Sequence, residues 1–345
     1  MRTRTGAILA AAVFVASACG GSAASSSPSS PASSASASAS SSSAQTASPA
    51  SLTPVNFRLN WVIAGNHAPF YLAKEKGYWS SCGLDVSLHA GQGSGDTAQL
   101  VGNGSQEFGL TDAVSIAAAR TKGIGVKSLG VLYQTNPGSI VSLKKEGITT
   151  LQDVKGKTFG AVPGGSPYLL LKALFQAKGI SASDYHEVTV PSPGIAQLKT
   201  GQVDFITFFA NEIVNIDPDP DKDLNDIPFK DYGQDIYGLA IASNDSYISG
   251  HPDQVKCFVQ GVEKGLQAAK ADPDAALQAL YAAVPETKDK PDVQQKMLDG
   301  VWAYSGDQFL AQDAAKWDAT QKLLAGASII TKTLDPNEFF TNDYQ

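Results

Sequence analysis

The chain has 345 residues, 43% hydrophobic and 17% charged, with 26 basic against 33 acidic residues and a formal net charge of −7. That length accommodates two ordinary domains, and the acidic balance argues against nucleic acid and against an electrostatic grip on anionic lipid. His67, His89, His186 and His251 have no paired metal spacing, and no P-loop, CxxC or G-x-S-x-G pattern is present, so no metal or cofactor is expected.

Arg2 and Arg4 precede the apolar run "AILAAAVFVA", which has signal-peptide length and is too short to span a bilayer. The run ends in "VASACGGS", which resembles the lipobox of bacterial lipoproteins, with Ala16 where that family usually has Leu. The resemblance implies a signal peptide over 1–19, lipidation of Cys19 and a membrane anchor on the extracytoplasmic face. An ordinary cleavage site with an incidental cysteine is the alternative. Residues 20–51 are almost entirely Ser, Ala and Pro, which bury too little apolar surface to offset chain entropy, so they are expected to form a disordered tether reaching roughly 30 Å. Without Arg2 and Arg4 the balance is 24 basic against 33 acidic residues, or −9. Cys82 and Cys257 are then the only thiols of an exported chain, and a disulfide between them is expected; two buried unpaired thiols are the alternative.

From residue 52 onward, short β-like runs alternate with helical ones, the pattern of an α/β protein with largely parallel sheets. "VNFRLNWV" predicts a strand and "APFYLAKEKG" a helix closed by Gly77; "GLDVSLHAG" and "GSGDTAQLVGNG" repeat the pair. "QEFGLTDA" predicts a strand, "AVSIAAARTKG" a helix and "VKSLGVLYQT" a strand. A second set follows: "SIVSLKK", a loop and strand in "LQDVKGKTFGAV", the helix "SPYLLLKALFQAKG", "YHEVTV", a helix near "GIAQLKTG" and the strand "VDFITFF". The run Asp217 to Asp223 fails as a calcium loop, since Lys222 and Pro228 occupy the positions that need Gly and an acid, and it predicts a solvated acidic loop. "IYGLAIAS" is a last strand before a helical remainder with Pro and Gly breaks. Two sets in series imply two lobes, 52–138 with 239–345 and 139–238, joined by crossings near Gln134–Ser139 and Ile236–Ala240.

The opening "W…GNHAPFYLAKEKGYW…GLDV", with "GSGDTAQLVGNGSQEFGLTDA", "GITTLQDVKGKTFGA" and Asn211-Glu212 in the same order, is similar to the nitrate/sulfonate/taurine and thiamine-pyrimidine-precursor family of solute-binding proteins. The Asn-His pair looks most like the pyrimidine-precursor branch. The resemblance implies a two-lobed type 2 periplasmic-binding-protein fold, with mixed, mostly parallel sheets and a hinged cleft. It implies a monomer that hands a small molecule to an ABC permease.

Turns at the carboxyl ends of parallel strands are where α/β sheets bind ligands. Asn60, Trp61, Asn66 and His67 hold that position: Trp61 offers a stacking face, and Asn66 and His67 offer hydrogen bonds to a ring edge. A core tryptophan and a satisfied helix-start histidine are the bland readings. Three helix starts differ in charge: "GSGDT", with Ser94 and Asp96, and "LTDA", with Asp112, carry an acid, whereas "PGGSPY" does not. There Gly165 precedes Ser166 as N-cap and Pro167 as first helical residue. That favours a neutral or nitrogen-rich ligand over an oxyanion, and ordinary capping is the alternative at each start. Asn211 and Glu212 follow a buried-type strand, where a carboxylate can accept from an exocyclic amine or protonated ring nitrogen.

The expected function is therefore that of a lipid-anchored extracytoplasmic binding protein for a small heteroaromatic such as a thiamine pyrimidine precursor, catalysing no reaction. A sulfonate, taurine, nitrate or riboflavin ligand and a sensory lipoprotein remain open. So does a pyrimidine-synthase-like enzyme, although such enzymes use a cysteine-clustered iron motif that Cys82 and Cys257 do not supply.

Overall fold

A computed structural model describes residues 51–163 and 165–345; the expected signal peptide, Cys19 and the tether up to residue 50 lie outside them. The first βα set builds β1 (Thr53–Arg58), α1 (Ala68–Glu75), β2 (Leu84–His89), α2 (Ser94–Gly102), β3 (Phe108–Asp112), α3 (Ala113–Arg120) and β4 (Val126–Val131). The second builds β5 (Gly138–Leu143), β6 (Thr158–Ala161), α4 (Ser166–Ala177), β7 (His186–Thr189), α5 (Ile195–Thr200), β8 (Phe205–Phe209), α6 (Pro220–Asp223) and β9 (Leu224–Pro228). After β10 (Leu239–Asn244) come α7 (Asp245–Gly250), α8 (Pro252–Ala271), α9 (Pro273–Ala283), α10 (Pro291–Ser305) and α11 (Ala314–Gly326).

The strands form two five-stranded sheets, ordered β2-β1-β3-β10-β4 and β7-β6-β8-β5-β9. In each sheet four strands point one way and one is reversed: β10 pairs antiparallel with β3 and β4, and β5 with β8 and β9. Both reversed strands are the first to be laid down after the chain changes sheet. The two crossing segments run side by side, with Gly238 N donating to Tyr133 O at 2.8 Å and Asn136 N to Ile236 O at 2.9 Å. Gly238 permits that approach, since a Cβ there would stand 2.8 Å from Tyr133 Cβ and 3.1 Å from Thr135 O.

α6 occupies part of the acidic loop expected over Asp217–Asp223, and β9, which was not expected, follows it. Pro220 opens the short helix α6, and Leu224 and Ile227 are buried as the strand pairs with β5. An edge strand of five residues with Asn225, Asp226 and Pro228 carries little β signal of its own; its partner supplies the order.

The aromatic centre beside the first sheet comes from α8, whose apolar Val255, Phe258, Val259, Val262 and Leu266 recur at helical spacing and are buried. Phe258 stacks on Phe108 at 3.7 Å between centroids and on Trp79 at 5.6 Å, and Trp79 Nε1 donates to Phe258 O. Beside Trp79, Cys82 and Cys257 are disulfide-bonded across 175 residues, with Cα atoms 5.9 Å apart. Closing so long a loop is worth about 5 kcal/mol in the chain-entropy account.

Candidate ligand-binding site

Beyond β1 the backbone turns under glycines: Gly93 N donates to Asn60 O and Gly91 N to Trp61 O, at 2.9 and 2.8 Å. A Cβ on Gly91 would sit 2.0 Å from Leu59 O, so only glycine lets the two chains approach and present Asn60 and Trp61 as the end of the strand. The following turn, Gly65–His67, is a 3-10 helix leading into α1. Within it His67 is fully buried, with Nδ1 accepting from Ala64 N at 3.2 Å and Nε2 within 2.9 Å of Asn60 Oδ1. A backbone N–H at Nδ1 requires the proton on Nε2, so the ring is neutral and donates to Asn60; burial pulls its pKa down to about 3. His67 therefore stands behind Asn60 and does not line the cavity, a correction to its expected place as a ligand contact: both its nitrogens already have protein partners.

Across the cleft, β8 ends in a second 3-10 segment, Ala210–Asn215. Glu212 is 4% exposed, lines the cavity and accepts at Oε1 from Asn66 Nδ2 at 3.2 Å; burial without a cation raises its carboxyl to about 7. Asn211 donates to the buried Tyr133 hydroxyl at 3.2 Å. Asn66 and Asn211 do not line this cavity; their amide nitrogens donate to Glu212 and Tyr133, while Asn66 Oδ1 and Asn211 Oδ1 are buried without a partner. One helix holds both turns: Gln294 of α10 accepts from Gly65 N at 2.7 Å, and Gly300 of α10 leaves room for Asn211.

A second polar corner forms where β3 meets α3. Asp112 is fully buried, caps α3 by accepting from Ser115 N at 2.7 Å, and has its carboxyl pushed up by burial. Thr111 Oγ1 donates to Ser94 O at 2.7 Å and ties the start of α2 to the same strand end. From the second sheet comes Ser166, expected as the N-cap of α4. The helix starts one residue sooner, with Gly165 as N-cap, so the Ser166 hydroxyl makes no capping bond.

These corners bound a cavity of about 100 Å³, lined among expected residues by Asn60, Trp61, Ser94, Asp112, Gly165, Ser166 and Glu212. Its apolar walls were not anticipated: Tyr168 and Pro167 on α4, Phe208 and Phe209 at the end of β8, and Pro193 after β7. All lie at or soon after the carboxyl end of a strand or in the first turn of a helix, so the rule that found Trp61 also reaches them. Lys, Arg and His are absent from the lining, while two buried carboxyls are present. Trp61 and Glu212 also wall a second cavity of about 300 Å³ bearing Glu286, Asp289 and Lys290.

The sequence profile of the family described as "NMT1/THI5 like" matches residues 64–276, more than half of the chain. A riboflavin-binding protein, RibY, from Chloroflexus aurantiacus is 25% identical over 313 residues, spanning 85% of this chain and 86% of its own. The 4-amino-5-hydroxymethyl-2-methylpyrimidine phosphate synthase of Candida albicans is 27% identical over 306 residues, 85% of this chain and 88% of its own. Among solved structures, the periplasmic aliphatic sulphonate binding protein SsuA from Escherichia coli superposes with a TM-score of 0.66 at 15% identity, over 84% of this chain and 97% of that one. The two mixed sheets thus have the periplasmic-binding-protein fold. The expectation that the chain catalyses no reaction is corrected by the relatives, several of which carry the same synthase name at about this identity. With its profile running from the turn before His67 into α9, the protein is a member of the NMT1/THI5-like family.

Proposed function

We propose that the protein is the extracytoplasmic solute-binding component of an ABC importer and captures a small, flat, nitrogen-bearing ring such as a thiamine pyrimidine precursor. The observation that carries this reading is a cavity with aromatic walls, two buried carboxyls and no cationic side chain in its lining. Such a site suits a ligand that donates hydrogen bonds or carries positive charge, and penalises nitrate or a sulfonate. The volume of about 100 Å³ favours one ring over a three-ring flavin, being below the roughly 300–1,000 Å³ typical of drug-sized ligands. In the mechanism we propose, the lobes 52–138 with 239–345 and 139–238 close about the paired crossings. Trp61 and Asp112 then grip the ligand from one side and Glu212 and Ser166 from the other. Contacts made only when closed give the differential affinity that shifts the population.

The test is a thermal-shift screen of the purified protein against aminopyrimidines, flavins, alkyl sulfonates and nitrate. An aminopyrimidine should give the largest rise in melting temperature; a sulfonate or nitrate giving the largest rise would overturn the reading. The proposal includes a lipid anchor at Cys19 with residues 20–51 as tether. Cys19→Ala should accordingly move the protein from the membrane to the soluble fraction, and unchanged partition would count against the anchor.

A further inference from the structure

We propose that Asp112 and Ser166 form a subsite for an uncharged hydroxyl or amino arm on the ligand ring, and that this corner excludes a phosphate, sulfonate or carboxylate arm. The inference rests on the aminopyrimidine reading above and adds the chemistry of the ring's substituent.

Asp112 Oδ2, Ser166 Oγ and Ser115 Oγ are buried and make no hydrogen bond of good geometry, although the Ser94, Ser115 and Ser166 hydroxyls lie close enough to the Asp112 carboxyl to oppose the effect of burial on it; Asp112 is fully buried, Ser166 is 3% exposed and Ser115 is 5% exposed. Buried polar atoms are nearly always paired because leaving them unpaired costs free energy, so three unpaired atoms around one cavity corner call for a common explanation. They come from both halves of the molecule: Asp112 ends β3 and Ser115 lies in α3 beside the first sheet, whereas Ser166 opens α4 beside the second. Asp112 and Ser166 both line the cavity, as does Ser94. The partners of Asp112 are not those of Glu212, which is held by Asn66, so the cavity reads two separate polar features of one ligand.

An arm ending in O–H satisfies the corner from both sides, donating its proton to Asp112 Oδ2 and accepting from Ser166 Oγ–H; an amine does the same for Asp112. A phosphate monoester brings up to two negative charges against Asp112 with no lysine, arginine or histidine in the lining to meet them. Ser166 does not cap α4, and the group its hydroxyl approaches is the Asp112 carboxyl across the cavity corner, so its removal is expected to leave the fold in place.

The experiment is calorimetry with three probes on the whole protein: 4-amino-5-hydroxymethyl-2-methylpyrimidine, its phosphate monoester and 4-amino-2,5-dimethylpyrimidine. The alcohol should bind at least about tenfold more tightly than the dimethyl compound and at least about a hundredfold more tightly than the phosphate. Ser166→Ala should melt with the parent and narrow the alcohol's advantage over the dimethyl compound to a few-fold. The arm assignment is overturned if the phosphate binds as tightly as the alcohol, if alcohol and dimethyl compound bind alike, or if Ser166→Ala leaves the alcohol's advantage intact. Binding of none of the three overturns the aminopyrimidine reading, and this assignment with it.

Discussion

Replacing Glu212 with Gln is expected to weaken ligand binding roughly tenfold to a hundredfold, the effect of losing one charge-assisted hydrogen bond worth about 1.5–3 kcal/mol. The substitution is nearly isosteric and keeps an oxygen for Asn66 Nδ2, so the wall behind the cavity stays in place. What changes is the other oxygen, which becomes an amino group and meets the ligand's donors with a donor. Stability should move the other way. Burial raises the folded-state pKa of Glu212 from 4.5 to about 7, so its contribution to stability is full below about 4.5 and is lost as pH rises through 7. The loss is on the order of 3 kcal/mol, and Gln escapes it. Calorimetry and urea unfolding at pH 8 should therefore show a variant that binds worse and folds better. Worse on both counts would make Glu212 a structural residue. Trp61→Ala should also weaken binding several-fold, because the stacking face on the cavity wall is lost.

Much of this site could be read from residue order alone. Asn60, Trp61, Asp112, Ser166 and Glu212 all end or follow strands with clear apolar runs, and the ends of parallel strands are where such sheets place ligands. What could not be read is which member of a polar cluster faces inward. His67 lies next to Asn66 and seven residues from Asn60, and only the closing of the 3-10 turn makes its ring a support for Asn60. The Asn66–Glu212 and Asn211–Tyr133 bonds join residues 146 and 78 apart, and local period carries no trace of such partners. Strand direction was equally hidden: β5 and β10 look like their neighbours in composition, and their reversal follows from the path of the chain between sheets. β9 needed its partner to exist at all, since two of its five residues are Asn and Asp.

The same hydrogen-bond pattern predicts that His67→Leu and the parent exchange order of stability as pH falls. At pH 7 the variant leaves Ala64 N–H and Asn60 Oδ1 unpaired in a buried turn, which should cost about 1–3 kcal/mol. The parent carries a liability that the variant lacks. Burial lowers the folded-state pKa of His67 from 6.5 to about 3, so its contribution to stability is full above about 6.5 and is lost as pH falls toward 3. The slope is about 1.4 kcal/mol per pH unit, on the order of 5 kcal/mol over the whole window. In the parent, Glu212 offsets that slope between about 4.5 and 6.5, where the unfolded chain holds one more proton at His67 and one fewer at Glu212. Below 4.5 only the His67 slope remains of the two. Asp153 and Asp313, whose carboxyls are held low by backbone N–H donors, add an acid loss common to both proteins. The difference between parent and variant therefore isolates the imidazole, and the two stabilities should cross between about pH 4 and 6. Urea unfolding from pH 4 to 8 measures the crossing, and carbon-detected NMR should find the His67 ring as the neutral Nε2–H tautomer down to pH 4. A ring that titrates near 6.5, or a stability difference constant across that range, would show that His67 is not the buried support that fixes Asn60 at the cavity.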